Sequence, residues 1–212
     1  MGVVVIGGQA SGVGKTSVIC GLIAAMPERR WTAIKITQCN HGTMQCSRDS
    51  NSKECDCELH GASIAISVED DRTASSDSSR YLAAGAVRSL WMRTLPGHLG
   101  EALPRLEEEI AEAENVVIES NSVLEFLSPD IYALIVSPRV ADVKASARRC
   151  IHRANVVLVE EPSAGNAAQL WVEEQLEEAK GARRFVITRP QFASDDFVAY
   201  VRQRLDNYSP QM

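Results

Sequence analysis

The sequence has no excess of positive charge. Its 212 residues hold 22 Lys and Arg against 28 Asp and Glu, a formal charge of −6. A nucleic-acid binder carries a basic face, and no basic stripe is visible, which argues against nucleic acid as a partner. There is no apolar run near the ~20 residues that span a bilayer, so no membrane contact is expected. Met1 to Gly8 lacks the basic segment and cleavage site of a secretory leader, and Ile6 stands where a myristoylation signal needs Ser or Thr. A cytoplasmic protein is the expectation. In that compartment the six Cys, at positions 20, 39, 46, 55, 57 and 150, read as reduced thiols, metal ligands or catalytic groups rather than disulfides. No internal repeat is visible.

What is present is ordinary for a globular chain, with 45% hydrophobic and 24% charged residues. The length suits one domain over residues 1–212. Val3-Val4-Val5-Ile6 reads as a buried strand stopped by Gly7 and Gly8. A helical pattern begins near Gly14, places Val18, Ile19, Leu22 and Ile23 on one side, and ends at Pro27. Further strands are expected at Trp31–Thr37, Val87–Trp91, Asn115–Glu119, Tyr132–Val136, Val156–Val159 and Phe185–Ile187. Helices are expected at His98–Ala113, Val140–Ile151 and Asp195–Leu205, the last with Phe197, Val201 and Leu205 on one face. Strands alternating with helices predict an α/β, doubly wound, mostly parallel sheet of about six or seven strands, with helices on both faces. Residues 38–79 break this rhythm and read as a Cys-rich insertion, long enough to be functional or disordered.

The strongest motif is Gly8-Gln9-Ala10-Ser11-Gly12-Val13-Gly14-Lys15-Thr16, followed by Ser17. It follows a strand and opens a helix, as a phosphate-binding loop requires. Glycines let successive backbone N–H groups turn toward phosphate oxygens, and the helix N-terminus adds positive potential. Lys15 supplies a cation for the β- and γ-phosphates, and the Thr16 hydroxyl is suited to Mg²⁺. The strict G-x4-G-K-[ST] pattern would put Gly at position 9, where this chain has Gln. Either the loop is one residue longer, or it relies on Gly12 and Gly14. The second metal-side group should end another strand, and Glu119 is the candidate. Lys35, near the end of the second strand, reads equally as a phosphate contact or a surface Lys. Thr188-Arg189-Pro190 follows a late strand and would border the base, while the Asn-Lys-x-Asp motif of GTP binders is absent as written. ATP and GTP therefore both stay open. Arg80 reads as a phosphate contact or as a local partner of Asp77. The Glu107-Glu108-Glu109 run and Glu173, Glu174, Glu177 and Glu178 read as solvated helix faces. Trp91 and Trp171 read as core or interface residues, and Cys20 and Cys150 as small core residues.

Four segments together carry a family resemblance: Ser11–Thr16; Ile34-Lys35-Ile36-Thr37 with His41-Gly42; Asp77-Ser78-Ser79-Arg80 with Ala84-Gly85-Ala86; and Val116-Val117-Ile118-Glu119. In this order they resemble the MobB-like P-loop proteins. These are the nucleotide-binding partners of molybdopterin-guanine dinucleotide biosynthesis, related to dethiobiotin and cobyrinate synthases and to metal-insertion GTPases. The resemblance covers about the first 140 residues and implies a P-loop NTPase fold and an NTP site. It departs where the family follows its strand-end Glu with Gly; here Ser120-Asn121-Ser122 follow. A biosynthetic or metal-delivery protein partner and a homodimer are also implied.

Cys39, Cys46, Cys55 and Cys57 fall in the insertion, with His41 and His60 beside them. Thiolates are soft ligands suited to Zn²⁺ or an iron–sulfur cluster, and a bound ion could order a segment that has no core of its own. The spacing C-x6-C-x8-C-x-C-x2-H does not choose between them. The expected function is a Mg²⁺-dependent nucleoside triphosphatase with Lys15, Thr16 and Glu119 at its centre, coupled to cofactor or metal-cluster chemistry. The alternatives are a nucleotide-binding adaptor in molybdenum-cofactor biosynthesis and an ATP-dependent small-molecule ligase or kinase.

Overall fold

Strand β1 (Gly2–Gly8) is buried along its whole length. A strand covered on both faces belongs in the middle of a sheet. β1 pairs in parallel with β5 (Asn115–Glu119) on one side and β6 (Ile131–Val136) on the other. The computed structural model describes residues 1–39, 62–140, 142–161 and 177–207. Within them the remaining strands are β2 (Trp31–Gln38), β3 (Ile64–Val68), β4 (Arg88–Thr94), β7 (Val156–Glu160) and β8 (Arg183–Ile187). The eight strands form one sheet in the order β3-β4-β2-β5-β1-β6-β7-β8. Every pair is parallel except β3 with β4, which is antiparallel at the edge.

Side chains alternate across a strand, and β1 feeds two cores. Val3 and Val5 join one core with Leu106 of α3 (Leu103–Glu112) and Ala147 and Cys150 of α4 (Ala145–Cys150). Val4 and Ile6 join the other. There they meet Val18, Ile19, Leu22 and Ile23 of α1 (Lys15–Ala25), Tyr81 and Leu82 of α2 (Asp77–Ala83), and Phe197, Val201 and Leu205 of α5 (Asp195–Asn207). The sheet is thus covered on both faces, and the doubly wound architecture is observed. Among the described residues no helix is long and apolar enough to cross a membrane.

The structure corrects four expectations. The sheet has eight strands, more than the six or seven expected, because β3 lies inside the segment read as irregular. Its Ile64-Ala65-Ile66-Ser67-Val68 run is only half-buried, as an edge strand is. The helix expected over Val140–Ile151 begins only at Ala145, because the Val140 carbonyl and the Lys144 N–H both bond to Gln9. The helix expected over His98–Ala113 opens as a 3-10 turn at Leu99–Ala102. Glu107 and Glu108 are exposed as expected, but Glu109 is buried. Arg88 donates to it from Nε at 2.7 Å and Nη2 at 2.9 Å, and Arg105 donates as well. Glu177 and Glu178 are exposed. Trp171, Glu173 and Glu174 lie outside the described residues, as do His41, Cys46, Cys55, Cys57 and His60 of the insertion.

Arg88 holds the Glu109 carboxyl below its ordinary value, against the opposing effect of burial. A depressed carboxylate contributes stability above its unfolded pKa and loses it as pH falls through the folded one. Glu109→Gln should therefore cost about 1–2 kcal/mol at pH 7, with Arg88 partly screened by solvent. The difference from wild type should shrink as pH falls below the ordinary glutamate range. Urea unfolding at the two pH values measures this, and an equal cost at both would contradict the ion pair's role.

Candidate nucleotide site

Sheet register builds the site. Glu119 at the end of β5 sits opposite Ile6 of β1 on one side and Lys35 of β2 on the other. The carboxyl ends of parallel strands are where such folds bind ligands. From β1 the chain enters the loop, with Gly12 at φ 74° and Gly14 at φ 99°, both in the left-handed region that favours glycine. A Cβ on Gly14 would also lie 2.3 Å from the Phe192 ring. Gly14 precedes α1, and no side chain caps that helix. The N-terminus of α1 is thus left for an anion.

Around Glu119 the expected residues converge. The Thr16 hydroxyl donates to Glu119 Oε2 at 2.8 Å. Lys35 Nζ lies 3.3 Å from Oε1 and also donates to Asp77 of α2. Lys15 Nζ lies 4.0 Å from the same Oε1 and donates to the Ala10 carbonyl at 3.1 Å. Burial pushes the Lys15 pKa down, and Glu119 opposes that shift. Lys35 is therefore part of this cluster, half-buried against two carboxylates. Arg80 lies 3.5 Å from Asp77 and donates to Ser17 at 3.2 Å, so it bridges α2 and the first turn of α1. Val13 is buried and Ser11 exposed.

Several participating residues carried no expectation. Gln9, at the position of the missing glycine, is buried. It accepts from the Ser137 N–H at 2.8 Å and donates to the Ser137 and Val140 carbonyls. Its backbone accepts from Lys144 N–H and donates to the Ile135 carbonyl. Asn121, two residues after Glu119 in the stretch that departs from the resembled family, clasps Gly8. It accepts from the Gly8 N–H at 3.0 Å and donates to the Gly8 carbonyl at 2.9 Å. The Gly8 N–H is thus taken up within the protein, and Gly12 and Gly14 are the loop's left-handed turns. Tyr81 donates its hydroxyl to Glu119. Burial, and then Glu119, push its pKa well up, so it stays protonated. Glu160 ends β7 as Glu119 ends β5. It pairs with Arg189 at 2.7 Å and Arg139 at 3.3 Å and accepts from Ser137. Burial alone would push its carboxyl up; Ser137 and Arg189 outweigh this and hold it below the ordinary value. Arg189 also lies over the Phe192 ring, 5.3 Å from its centroid. The turn holding Thr188-Arg189-Pro190 therefore leads to the phosphate loop through Phe192 and Gly14.

Mg²⁺ takes hard oxygen donors, keeps several waters, and is held by one or two carboxylates plus phosphates. The Thr16 hydroxyl and the Glu119 carboxylate, with Asp77 joined to them through Lys35, match that donor set. Among the described residues no group of three or more His, Cys, Asp or Glu is placed to hold a metal. Cys39 is buried just past β2, against Ala65 and Leu95. Burial raises the thiol pKa of Cys150, and pushes that of Cys20 up to about 11, which suits packing roles better than reactivity. Trp91 is half-buried, and its indole N–H donates to Thr37.

Restoring glycine at position 9 should weaken the protein. Gln9→Gly removes three side-chain hydrogen bonds and should cost roughly 2–3 kcal/mol. Urea unfolding checks it, and unchanged stability would refute the bracing role of Gln9.

No protein-family model matches the sequence, and no curated protein matches it. Solved structures do match. HypB from Helicobacter pylori in complex with nickel has a TM-score of 0.51 at 14% identity, over 99% of this chain and 90% of that one. The hydrogenase maturation factor HypB from Archaeoglobus fulgidus has a TM-score of 0.55 at 15% identity, over 96% of this chain and 90% of that one. Identities this low speak to architecture alone. What the likeness shows, with the loop and sheet described above, is that this chain has the P-loop NTPase fold.

Proposed function

We propose that this chain is a Mg²⁺-dependent nucleoside triphosphatase whose nucleotide cycle serves the handling of a metal ion or cluster. The observation that carries the reading is the meeting of Thr16, Lys15 and Lys35 on one buried carboxylate, Glu119, beside an uncapped helix N-terminus. In this reading the loop N–H groups of residues 12–16 and Lys15 bind the β- and γ-phosphates. Thr16 and Glu119 hold Mg²⁺, and Lys35 faces the terminal phosphate. When bound, Mg²⁺ neutralises charge on the β- and γ-oxygens. The residues of the chain position the phosphates and exclude water from Glu119, and the charge of a bound phosphate holds Lys15 protonated against the burial that pushes its pKa down.

The link to metal handling rests on two supports. One is the architectural likeness to HypB, a protein solved in complex with nickel. The other is the position of Cys39, four residues after Lys35 on the same length of chain. The thiol-rich stretch of sequence thus begins at Cys39, just past the strand that carries Lys35. The metal or cluster is then cargo or sensor, with Cys39, Cys46, Cys55 and Cys57 as its ligands. The MobB-like adaptor reading shares this nucleotide site and differs in chemistry, because an adaptor binds NTP without turning it over.

Fluorescent ATP and GTP analogues and single-turnover hydrolysis test the proposal. Lys15→Ala should weaken NTP binding about 10- to 100-fold, as expected for lost charge-assisted contacts, and should abolish hydrolysis. Binding and hydrolysis that survive the substitution would overturn the assignment. Binding by wild type with no hydrolysis above background would favour the adaptor.

A further inference from the structure

Glu119 offers two oxygens with about four lone-pair directions. Oε2 accepts the Thr16 hydroxyl and the Tyr81 hydroxyl. Oε1 faces the ammonium groups of Lys35 at 3.3 Å and Lys15 at 4.0 Å. Three of these four partners have duties toward a bound nucleotide and its cation in the reading above. Lys15 and Lys35 turn to phosphate, and Thr16 turns a lone pair to the metal. Tyr81 has no such duty. Its residue is fully buried, and its ring packs in the core shared by α1, β1 and α5. It has nowhere to go when the ligand enters.

α2 makes this anchor rigid. Tyr81 lies four residues after Asp77, and positions so spaced share one helix face. Asp77 holds Lys35, Lys35 reaches Glu119, and Glu119 accepts from Tyr81. The chain of contacts leaves α2 and returns to it. Ser76 caps the helix by accepting from the Ser79 N–H at 3.1 Å, which fixes the turn that carries both ends of the ring.

We propose that Tyr81 is a positioning residue whose hydroxyl holds Glu119 Oε2 and so presents Oε1 to the divalent cation of a bound nucleotide. This rests on the nucleotide reading of the site. A carboxylate held on one oxygen loses rotamer freedom before the ion arrives, so less is lost on binding. The conserved volume of Tyr81→Phe leaves the ring packing in place and removes only the hydroxyl.

The test uses the full chain and Mn²⁺ in place of Mg²⁺, with free Mn²⁺ counted by electron paramagnetic resonance. The nucleotide is ATP or GTP, whichever the wild-type protein binds, in its non-hydrolysable form. Tyr81→Phe should weaken Mn²⁺ binding to the nucleotide complex about tenfold, the scale of a lost hydrogen bond to a charged group. Nucleotide affinity in EDTA should stay within about twofold of wild type, a shift too small to signal a lost contact. The Mg²⁺ concentration for half-maximal hydrolysis should rise alike, with kcat recovered at high Mg²⁺. Unchanged Mn²⁺ affinity would overturn the proposal. So would an equal loss of nucleotide affinity in EDTA, which would make Tyr81 a packing residue. A wild-type protein that binds no nucleotide would overturn the nucleotide reading first, and this proposal with it.

Discussion

A carboxylate withdrawn from water must be paired, because leaving it bare in a low-dielectric interior costs several kcal/mol. Glu119 is only 6% exposed at the centre of the sheet, and much of the site follows from satisfying it. Parallel register alone sets Lys35 beside it. The first turn of α1 brings Thr16 and Lys15. α2 brings Tyr81 directly and Asp77 through Lys35. Three elements far apart in the chain are thus tied to one strand end. An anion with its own cation fits such a centre, since it exchanges partners with the lysines and the hydroxyl without leaving any charge bare.

A second constraint holds the mouth of the site in shape. Gln9 and Asn121 bind backbone groups that a loop would otherwise leave to water. Asn121 ties the end of β1 to the turn after β5, and Gln9 ties the loop to the turn after β6. Gln9 stands where the strict loop pattern has glycine, and Asn121 belongs to the Ser120-Asn121-Ser122 stretch that departs from the resembled family after Glu119. The departures from that pattern therefore have structural work within the protein, and they fix the loop's base while Gly12 and Gly14 shape its rim.

Local chemistry was legible in the sequence. The β-branched run of β1, the glycines, Lys15 and Thr16, and the apolar face of α1 all depend on residues close in the chain, and each lies where expected. Glu119 and Lys35 were legible as strand-end charges, and the sheet brings them together. What escaped depends on distant partners. Glu109 reads as one of three surface glutamates until Arg88, 21 residues earlier, folds onto it. The segment after β6 has a helical pattern but gives its backbone groups to Gln9, well over 100 residues away. Tyr81 could have been noticed as a ring four residues after Asp77, though its partner is 38 residues on. Glu160 repeats the strand-end signal of Glu119 and was hidden by ending β7 one residue short. β3 was masked by the Cys- and Ser-rich composition around it, despite its own alternation of apolar residues.

The central claim is that Glu119 is the metal-side group of a nucleotide site, and the Mg²⁺ dependence of nucleotide affinity in Glu119→Gln tests it most directly. Glutamine keeps the shape and can still accept from Thr16 and Tyr81, while the charge is gone. The account predicts that Mg²⁺ strengthens nucleotide binding in wild type, and that this enhancement falls about tenfold or more in the variant. Binding in EDTA should be equal or tighter in the variant, because a negative charge has been removed from beside the phosphates. An enhancement by Mg²⁺ that is the same in both proteins would contradict it.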